Sequence, residues 1–423
     1  MSATRWNCGA TPPQKRDDAV VINVLLLENP HPIGAATLER AGMNVTVLKR
    51  SLGETDLIEA LKDVQILGIR SKTEVTRKVL ASSPSLEAIG AFCIGTNQIA
   101  TESAAERGIP VFNAPYANTR SVVELALGEI IALTRRLTVK NSKLHRGTWD
   151  KSADGAHEVR GRTLGIIGYG NIGTQLSVLA EAVGMRVLFY DIEERLALGN
   201  AERADSMADV LSQSDVVSVH VSGLESNRGL IGEKELSQMR PGAVIVNLSR
   251  GFVVDVEALR AALESKHLSG AAVDVFPEEP KANGDPFASE LQMMDNVILT
   301  PHIGGSTIEA QHDIGAFVST KLIEYMRLGN TSMSVNVPNL ALPPSAGAAG
   351  RLTFMHHNIP GVMANLNDIL AGTGVNVEAQ ALATAGSIGY AITDVAAPLP
   401  KEVVAAISGL KVDIDTRYLN LQQ

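Results

Sequence analysis

Arg250, Glu279 and His302 each follow an apolar run of strand type, and together they are equipped for moving a proton at a carbonyl or hydroxyl group. A guanidinium at Arg250 can hold a carboxylate and an adjacent carbonyl oxygen with two parallel hydrogen bonds. His302 comes directly after Pro301, and an imidazole exchanges its proton near neutral pH, so it can serve a carbonyl oxygen as acid or a hydroxyl as base. Glu279, in the loop Pro277-Glu278-Glu279-Pro280, can place a carboxylate on the far imidazole nitrogen and favour its charged form. Each alone has a plainer reading: a surface arginine or phosphate contact, a solvated acid, a structural histidine. Their joint occurrence after parallel-strand patterns points to catalysis.

The second chemical feature is the run Gly168-Tyr169-Gly170-Asn171-Ile172-Gly173, with Asp191 beyond it. Residues 164–167 form an apolar strand, and Leu176, Leu179, Ala180 and Val183 recur as one helix face. At that junction Gly168 permits a tight turn, Gly170 lets backbone approach a pyrophosphate, and Gly173 lets the helix lie close to the strand. A second strand, 186–190, delivers Asp191 to the ribose hydroxyls of a dinucleotide. A ribose phosphate would meet that carboxylate with a repulsion on the order of several kcal/mol, so NAD is favoured over NADP. Arg195 softens this preference, though Ile192, Glu193 and Glu194 offer no phosphate site.

The elements around these residues alternate in the manner of parallel α/β units. Strands are expected at 21–27, 45–48, 64–69 and 86–92, with helices from about 34, 56 and 75 between them. Asn118 or Thr119 can cap a long helix through Arg136. The second series runs from the glycine turn through strands 216–219, 243–247, 271–275 and 297–299. A helix over about 307–328 has no strand of its own and is expected to return to the first series, which makes a split domain with an inserted nucleotide domain. Residues 338–350, rich in Pro, Ala and Gly and without charge, read as a linker. Beyond them strands at 351–355, 375–381, 390–395 and 412–418 and helices at 360–370 and 401–407 give the order βαββαβ of a ferredoxin-like module. The expected division is a flexible lead (1–18), a substrate-binding domain (19–118 and 303–337), a nucleotide domain (119–302), the linker, and a C-terminal domain (351–423).

Composition bounds the partners. In 423 residues a net charge of -9 argues against nucleic acid and anionic membrane surfaces, and no apolar run reaches membrane-spanning length. Two cysteines, Cys8 and Cys93, give no disulfide framework and fit a reducing compartment, most simply the cytoplasm. No metal site is expected.

The runs LGIIGYGNIG (164–173), NLSRG (247–251), VDVFPEEP (273–280) and TPHIGG (300–305) are those of a known family. Over nearly its whole length after the lead, the chain resembles the D-isomer-specific 2-hydroxyacid dehydrogenases, in the phosphoglycerate-oxidising branch that carries a C-terminal ACT domain. The resemblance implies a Rossmann-type NAD domain inserted into a split flavodoxin-like substrate domain, with the ferredoxin-like unit as the ACT domain. It implies that Arg250 binds substrate, His302 is the acid/base and Glu279 supports it. It implies an NAD site at Gly168, Gly170, Asn171, Ile172, Gly173, Asp191, Leu248, Ser249, Arg250, Asp274, His302, Ile303, Gly304 and Gly305, with Asp274 on the carboxamide.

The resemblance also implies that the loop Arg70-Ser71-Lys72, with Ile94-Gly95-Thr96-Asn97 and Asn118-Thr119-Arg120-Ser121, binds the carboxylate and phosphate of a small phosphorylated 2-hydroxy acid. The implied reaction is NAD-dependent oxidation of 3-phospho-D-glycerate to 3-phosphohydroxypyruvate, the entry to L-serine synthesis. Two other readings remain open: a dehydrogenase of another D-2-hydroxy acid such as 2-hydroxyglutarate, and an NAD-sensing corepressor-like protein. Residues 145–151, with Trp149, are similar to a subunit-contact segment of the family, so a homodimer or homotetramer is implied. In the C-terminal module His356, Asn358 and Asn376 match the ACT positions that hold L-serine as a feedback effector across paired subunits.

Overall fold

A computed structural model describes residues 21–280 and 284–421 of the chain. The expected lead, 1–18, lies outside the described residues. The chain forms two units, one from Met1–Pro115 and His312–Gln423, the other from Tyr116–Gln311.

In the first unit five short parallel strands, β1 (Asn23–Leu27), β2 (Asn44–Leu48), β3 (Ile66–Ile69), β4 (Ala88–Ala91) and β5 (Val111–Phe112), lie in the order β2-β1-β3-β4-β5. That is the flavodoxin-like order. Strands β1, β3 and β4 are almost wholly buried and read as continuous apolar runs, as strands covered on both faces must. Leu25, Leu27, Leu67, Ile69 and Ile89 fill one face together with Leu57, Leu61 and Val79. The helix Ile308–Leu328 serves the other face: Cβ atoms built on Gly90 would lie 2.8 Å from Val318, and Ser319 Oγ donates to Gly34 O at 3.1 Å.

The same unit carries the C-terminal antiparallel sheet. Its strands β13 (Gly350–His357), β14 (Val377–Ala385), β15 (Ile388–Val395) and β16 (Asp413–Asn420) have helices Val362–Ala371 and Lys401–Ser408 between them, in the order βαββαβ. They lie in the order β14-β15-β13-β16, so the first and third strands of the module are central. Side chains from this sheet take up the last carbonyls of the long helix and its exit. Arg417 donates to Met326 O at 3.0 Å, Arg351 to Leu328 O at 2.9 Å and Tyr390 to Gly329 O at 2.6 Å. Orphan carbonyls at a helix end need such donors, and cationic ones also suit the helix dipole. The fully buried Arg351 is paired with Asp394 at 2.6 and 3.0 Å.

The second unit holds a seven-stranded parallel sheet: β6 (Thr163–Ile167), β7 (Arg186–Tyr190), β8 (Ala201–Arg203), β9 (Val216–Val219), β10 (Ala243–Asn247), β11 (Leu268–Val273) and β12 (Val297–Leu299). The order β12-β11-β10-β9-β6-β7-β8 reverses between β6 and β9, as in a doubly wound nucleotide-binding fold. Helices Thr119–Thr134 and Asn171–Ala182 pack on one face through Val123, Ala126, Ile130, Leu176 and Ala180. Helices Met207–Gln213, Glu233–Gln238 and Val256–Glu264 cover the other through Val210, Leu236 and Leu259.

Some local features differ from expectation. Asn118 stands at the N-cap of helix Thr119–Thr134, yet its side chain makes no capping bond. The helix Leu137–His145 was not foreseen, because it has almost no apolar face; tertiary contacts replace it, with Thr138 donating to Asp295 O and Ser142 and Arg146 to the Asp295 carboxylate. The short edge strand β8 was also unexpected, since only Ala201 of its three residues is buried.

Candidate active site

The glycine turn joins β6 to helix Asn171–Ala182 at the point where the strand order reverses. Gly168 has φ +91°, and a Cβ there would lie 2.6 Å from His220 O. A Cβ on Gly173 would lie 2.4 Å from Gly168 O, whereas one on Gly170 would meet open space. The three glycines therefore meet three separate demands: a left-handed turn, an open approach, and close helix packing. No side chain caps the helix at Gly170, so amides at Asn171, Ile172 and Gly173 are free to receive an anion.

Asp191 follows β7 and is tied beneath this turn. Its Oδ2 accepts from Tyr169 N at 2.7 Å and its Oδ1 from Glu193 N at 2.9 Å, while Arg195 Nε stands 3.8 Å away. A groove of about 270 Å³ is lined by Tyr169, Gly170, Asn171, Thr174, Arg195, Leu196 and Leu198. An open glycine, unbonded helix amides and a fixed acid beside one groove are the fittings a dinucleotide needs.

Loops after β10, β11 and β12 bring the polar residues together. After β10, Asn247 Oδ1 accepts from Ser249 N and Ser249 Oγ, and Asn247 Nδ2 donates to Arg250 O, which fixes the turn that carries the half-buried Arg250. A Cβ on Gly251 would lie 1.9 Å from the carbonyl carbon of Phe276, so a glycine lets this turn touch the loop after β11. Leu248 and Ser249 are buried. Asp274, also buried, accepts from Thr300 Oγ1 (2.6 Å), Ile303 N (2.8 Å) and Gly304 N (2.8 Å). Three such bonds hold the segment on either side of His302, which itself has φ +54°. Left-handed backbone costs a non-glycine residue about 1–2 kcal/mol, and here it is held by those contacts.

His302 Nδ1 lies 3.0 and 2.8 Å from the two Glu279 oxygens. The hydrogen bond that His302 donates to Glu279, with the charges of Glu279 and Asp274, raises the imidazole above its usual range against the opposing effects of burial and Arg250. For Glu279 burial acts upward, but the His302 hydrogen bond and charge, the Phe276 amide and Arg250 leave the carboxyl below its usual value. The Glu279 carboxylate thus favours the charged form of the imidazole once it has formed, and Nε2 is left to exchange a proton.

Asn118 is brought beside this loop: a Cβ on Gly305 would lie 2.4 Å from Asn118 Nδ2, and Asn118 Oδ1 is buried without a partner. Two further groups were not foreseen. Glu129, on helix Thr119–Thr134, is buried with both carboxyl oxygens unpartnered, and burial followed by the Asp274 charge pushes it up to about 8. His220 directly follows β9, shares Nε2 with Ser218 Oγ at 2.7 Å, and is pushed down to about 4 by burial. His220 was legible by the strand-end rule that singles out His302; Glu129 carried no signal beyond being an acid on an apolar helix.

Arg70, Ser71 and Lys72 belong to the first unit, in the loop after β3, with the Ser71 and Lys72 side chains exposed. In the C-terminal module His356 lies in β13, buried, with Nδ1 on His357 O at 2.9 Å and Nε2 unpartnered. Asn358 donates to Gly386 O and Asn376 to Glu378 Oε1, both at the surface.

The NAD binding domain of the D-isomer specific 2-hydroxyacid dehydrogenases matches residues 127–304. D-3-phosphoglycerate dehydrogenase of Escherichia coli K12 is 51% identical over 401 residues, covering 94% of this chain and 97% of that protein. The chain belongs to the D-isomer-specific 2-hydroxyacid dehydrogenase family. A D-3-phosphoglycerate dehydrogenase of Dictyostelium discoideum is 48% identical over 398 residues, with 94% and 97% covered. Among solved structures, a D-lactate dehydrogenase of Aquifex aeolicus complexed with NAD and lactic acid aligns with TM-score 0.63 and 26% identity over 72% of this chain and 95% of its own. D-2-hydroxyisocaproate dehydrogenase aligns with TM-score 0.67 at 24% identity over 74% of this chain and all of its own, a likeness of fold. This dehydrogenase is an NAD-dependent oxidoreductase, and its glycine turn, Asp191, Arg250, Asp274, Glu279 and His302 all lie within the matched NAD-binding domain. No helix among the described residues is long and apolar enough to cross a membrane.

Proposed function

We propose that this dehydrogenase oxidises 3-phospho-D-glycerate to 3-phosphohydroxypyruvate with NAD, the first step of L-serine biosynthesis. The observation that carries the reading is the His302–Glu279 pair at 2.8 Å beside a dinucleotide turn, in a chain half identical to D-3-phosphoglycerate dehydrogenases over nearly its full length. NAD, when bound, accepts the hydride. His302 Nε2 takes the hydroxyl proton, and Glu279 stabilises the imidazolium that results. Arg250 neutralises the substrate carboxylate and orients the carbon that loses hydride. Arg70, Ser71 and Lys72 hold the phosphate, and the unpartnered Asn118 Oδ1 is available to the substrate. Asp274 supports the loop of His302 and accepts the nicotinamide carboxamide.

In this reading 119–302 is the NAD domain, 19–118 with 303–337 the substrate domain, 338–350 a linker and 351–423 an ACT domain. L-serine is its effector, with His356, Asn358 and Asn376 as ligands in a homodimer or homotetramer; the unpartnered His356 Nε2 and the exposed Asn358 and Asn376 support this. A cytoplasmic setting follows from the scarcity of cysteine. The test is NADH formation on mixing the protein with NAD and 3-phosphoglycerate. NAD binding without turnover, unaltered by His302→Ala, would rule the reaction out. For the effector, serine should inhibit the wild type and spare Asn358→Ala; an uninhibited wild type contradicts regulation by serine.

A further inference from the structure

The loop Arg70-Ser71-Lys72 presents two exposed side chains, yet its backbone is anchored at both ends by side chains from elsewhere. Glu28, the residue after β1, accepts from Lys72 N with Oε2 at 3.0 Å and from Thr73 N with Oε1 at 2.7 Å. Gln98 donates from Nε2 to Arg70 O at 2.6 Å and to Gly95 O at 3.3 Å. Glu28 is buried, and its own N–H donates to Arg50 O at 3.3 Å, so one residue gathers the chain ends after β1, β2 and β3.

Its backbone makes the case sharper. Glu28 has φ +66°, a left-handed conformation that glycine would adopt freely. Retaining a charged, β-carbon-bearing side chain at a buried left-handed position is doubly unfavourable unless the carboxylate itself is required. Two amide donors on one carboxylate are charge-assisted bonds, and they use the amides that an anion-binding loop would otherwise turn to its ligand. The loop is thereby left to meet an anion through the side chains of Arg70, Ser71 and Lys72.

We propose that Glu28 is a positioning residue for the substrate phosphate: its carboxylate, opposed by Gln98, fixes the loop so that Arg70, Ser71 and Lys72 converge on the anion. This rests on the reading of that loop as the phosphate-binding segment. Because the phosphate is remote from the carbon that loses hydride, the effect is on binding shared by ground and transition states, and so on KM.

The experiment compares Glu28→Gly, Glu28→Gln, Arg70→Ala and wild type in steady-state kinetics with NAD and 3-phosphoglycerate, alongside thermal unfolding. Glycine suits the left-handed backbone but lacks the clamp; glutamine keeps one acceptor and sets an amide against the other donor. Glu28→Gly should raise KM for 3-phosphoglycerate about tenfold or more, the loss expected for hydrogen bonds to a charged group, and Glu28→Gln should fall between it and wild type. KM for NAD and kcat should stay near wild type, while the unfolding midpoint falls by a few degrees as the Lys72 and Thr73 amides lose their acceptor. An unchanged KM in the Glu28 variants, with KM raised in Arg70→Ala, overturns the positioning role and leaves the loop reading intact. An unchanged KM in Arg70→Ala overturns the loop reading and the proposal with it. A parallel fall in kcat, NAD binding and unfolding temperature makes Glu28 a fold residue and also overturns it.

Discussion

The two carboxylate oxygens of Glu279 lie 3.0 and 2.8 Å from Nδ1 of His302, a residue whose backbone is held at φ +54° between the bonds that Asp274 makes to Thr300, Ile303 and Gly304. The strained backbone and the fixed carboxylate act together. One aims the imidazole, and the other decides which nitrogen carries the exchangeable proton.

The pair sets the pH dependence. In the oxidative direction Nε2 must be unprotonated to take the hydroxyl proton, so the rate rises with pH through the raised His302 value. Removing the carboxylate in Glu279→Gln lowers that value, so the acid limb of kcat/KM moves to lower pH. The plateau should fall about 10- to 100-fold as the imidazolium loses its partner. A pH-rate profile checks both, and a limb that does not move contradicts the coupling.

Asp191 is held by Tyr169 N and Glu193 N, with Arg195 at 3.8 Å. In Asp191→Ala the carboxylate that repels a ribose phosphate is gone and Arg195 remains. KM for NAD should rise, and the preference for NAD over NADP should narrow by about tenfold or more. Steady-state kinetics with both nucleotides measures this.

The Glu129 carboxyl, pushed up to about 8, makes a signed stability prediction. An acid whose value is raised on folding retains its proton while the unfolded chain gives it up, so stability falls as pH climbs from about 4.5 to about 8. Glu129→Gln removes that penalty. Relative to wild type it should gain stability across this window, reaching on the order of a few kcal/mol at the alkaline end, as read from urea unfolding at several pH values.

Arg351 and Asp394 form a buried pair with no exposure on either side. Asp394→Ala leaves the guanidinium uncompensated and should destabilise by about 3–5 kcal/mol, whereas replacing both residues with apolar ones should recover much of the loss. Denaturant unfolding of the single and double variants distinguishes these outcomes.

What was legible in the chain was mostly local. Strands β7, β9, β10 and β12 match their expected bounds because each is a short, largely apolar run, and the three glycines of the nucleotide turn answer the three steric demands read from their spacing. The Glu279–His302 pair was legible across 23 residues because both follow strand runs, but other residues whose roles depend on distant partners were not. Glu28 matters through amides 44 and 45 positions later, and Glu129 through burial and the charge of Asp274. Helix Leu137–His145 is fastened by Asp295, far along the chain, rather than by an apolar face. Asn118 does stand at the N-cap as its residue type suggests, but its place beside Gly305 turns the side chain away from the helix amides.

The central claim is hydride transfer from the hydroxyl-bearing carbon of 3-phosphoglycerate to NAD. It is tested most directly by incubating the protein with NAD and 3-phosphoglycerate deuterated at that carbon, then locating the label. Deuterium in the reduced nicotinamide, with 3-phosphohydroxypyruvate formed in equal amount, is the predicted result. Unlabelled or absent NADH, with the nucleotide still bound, would contradict it.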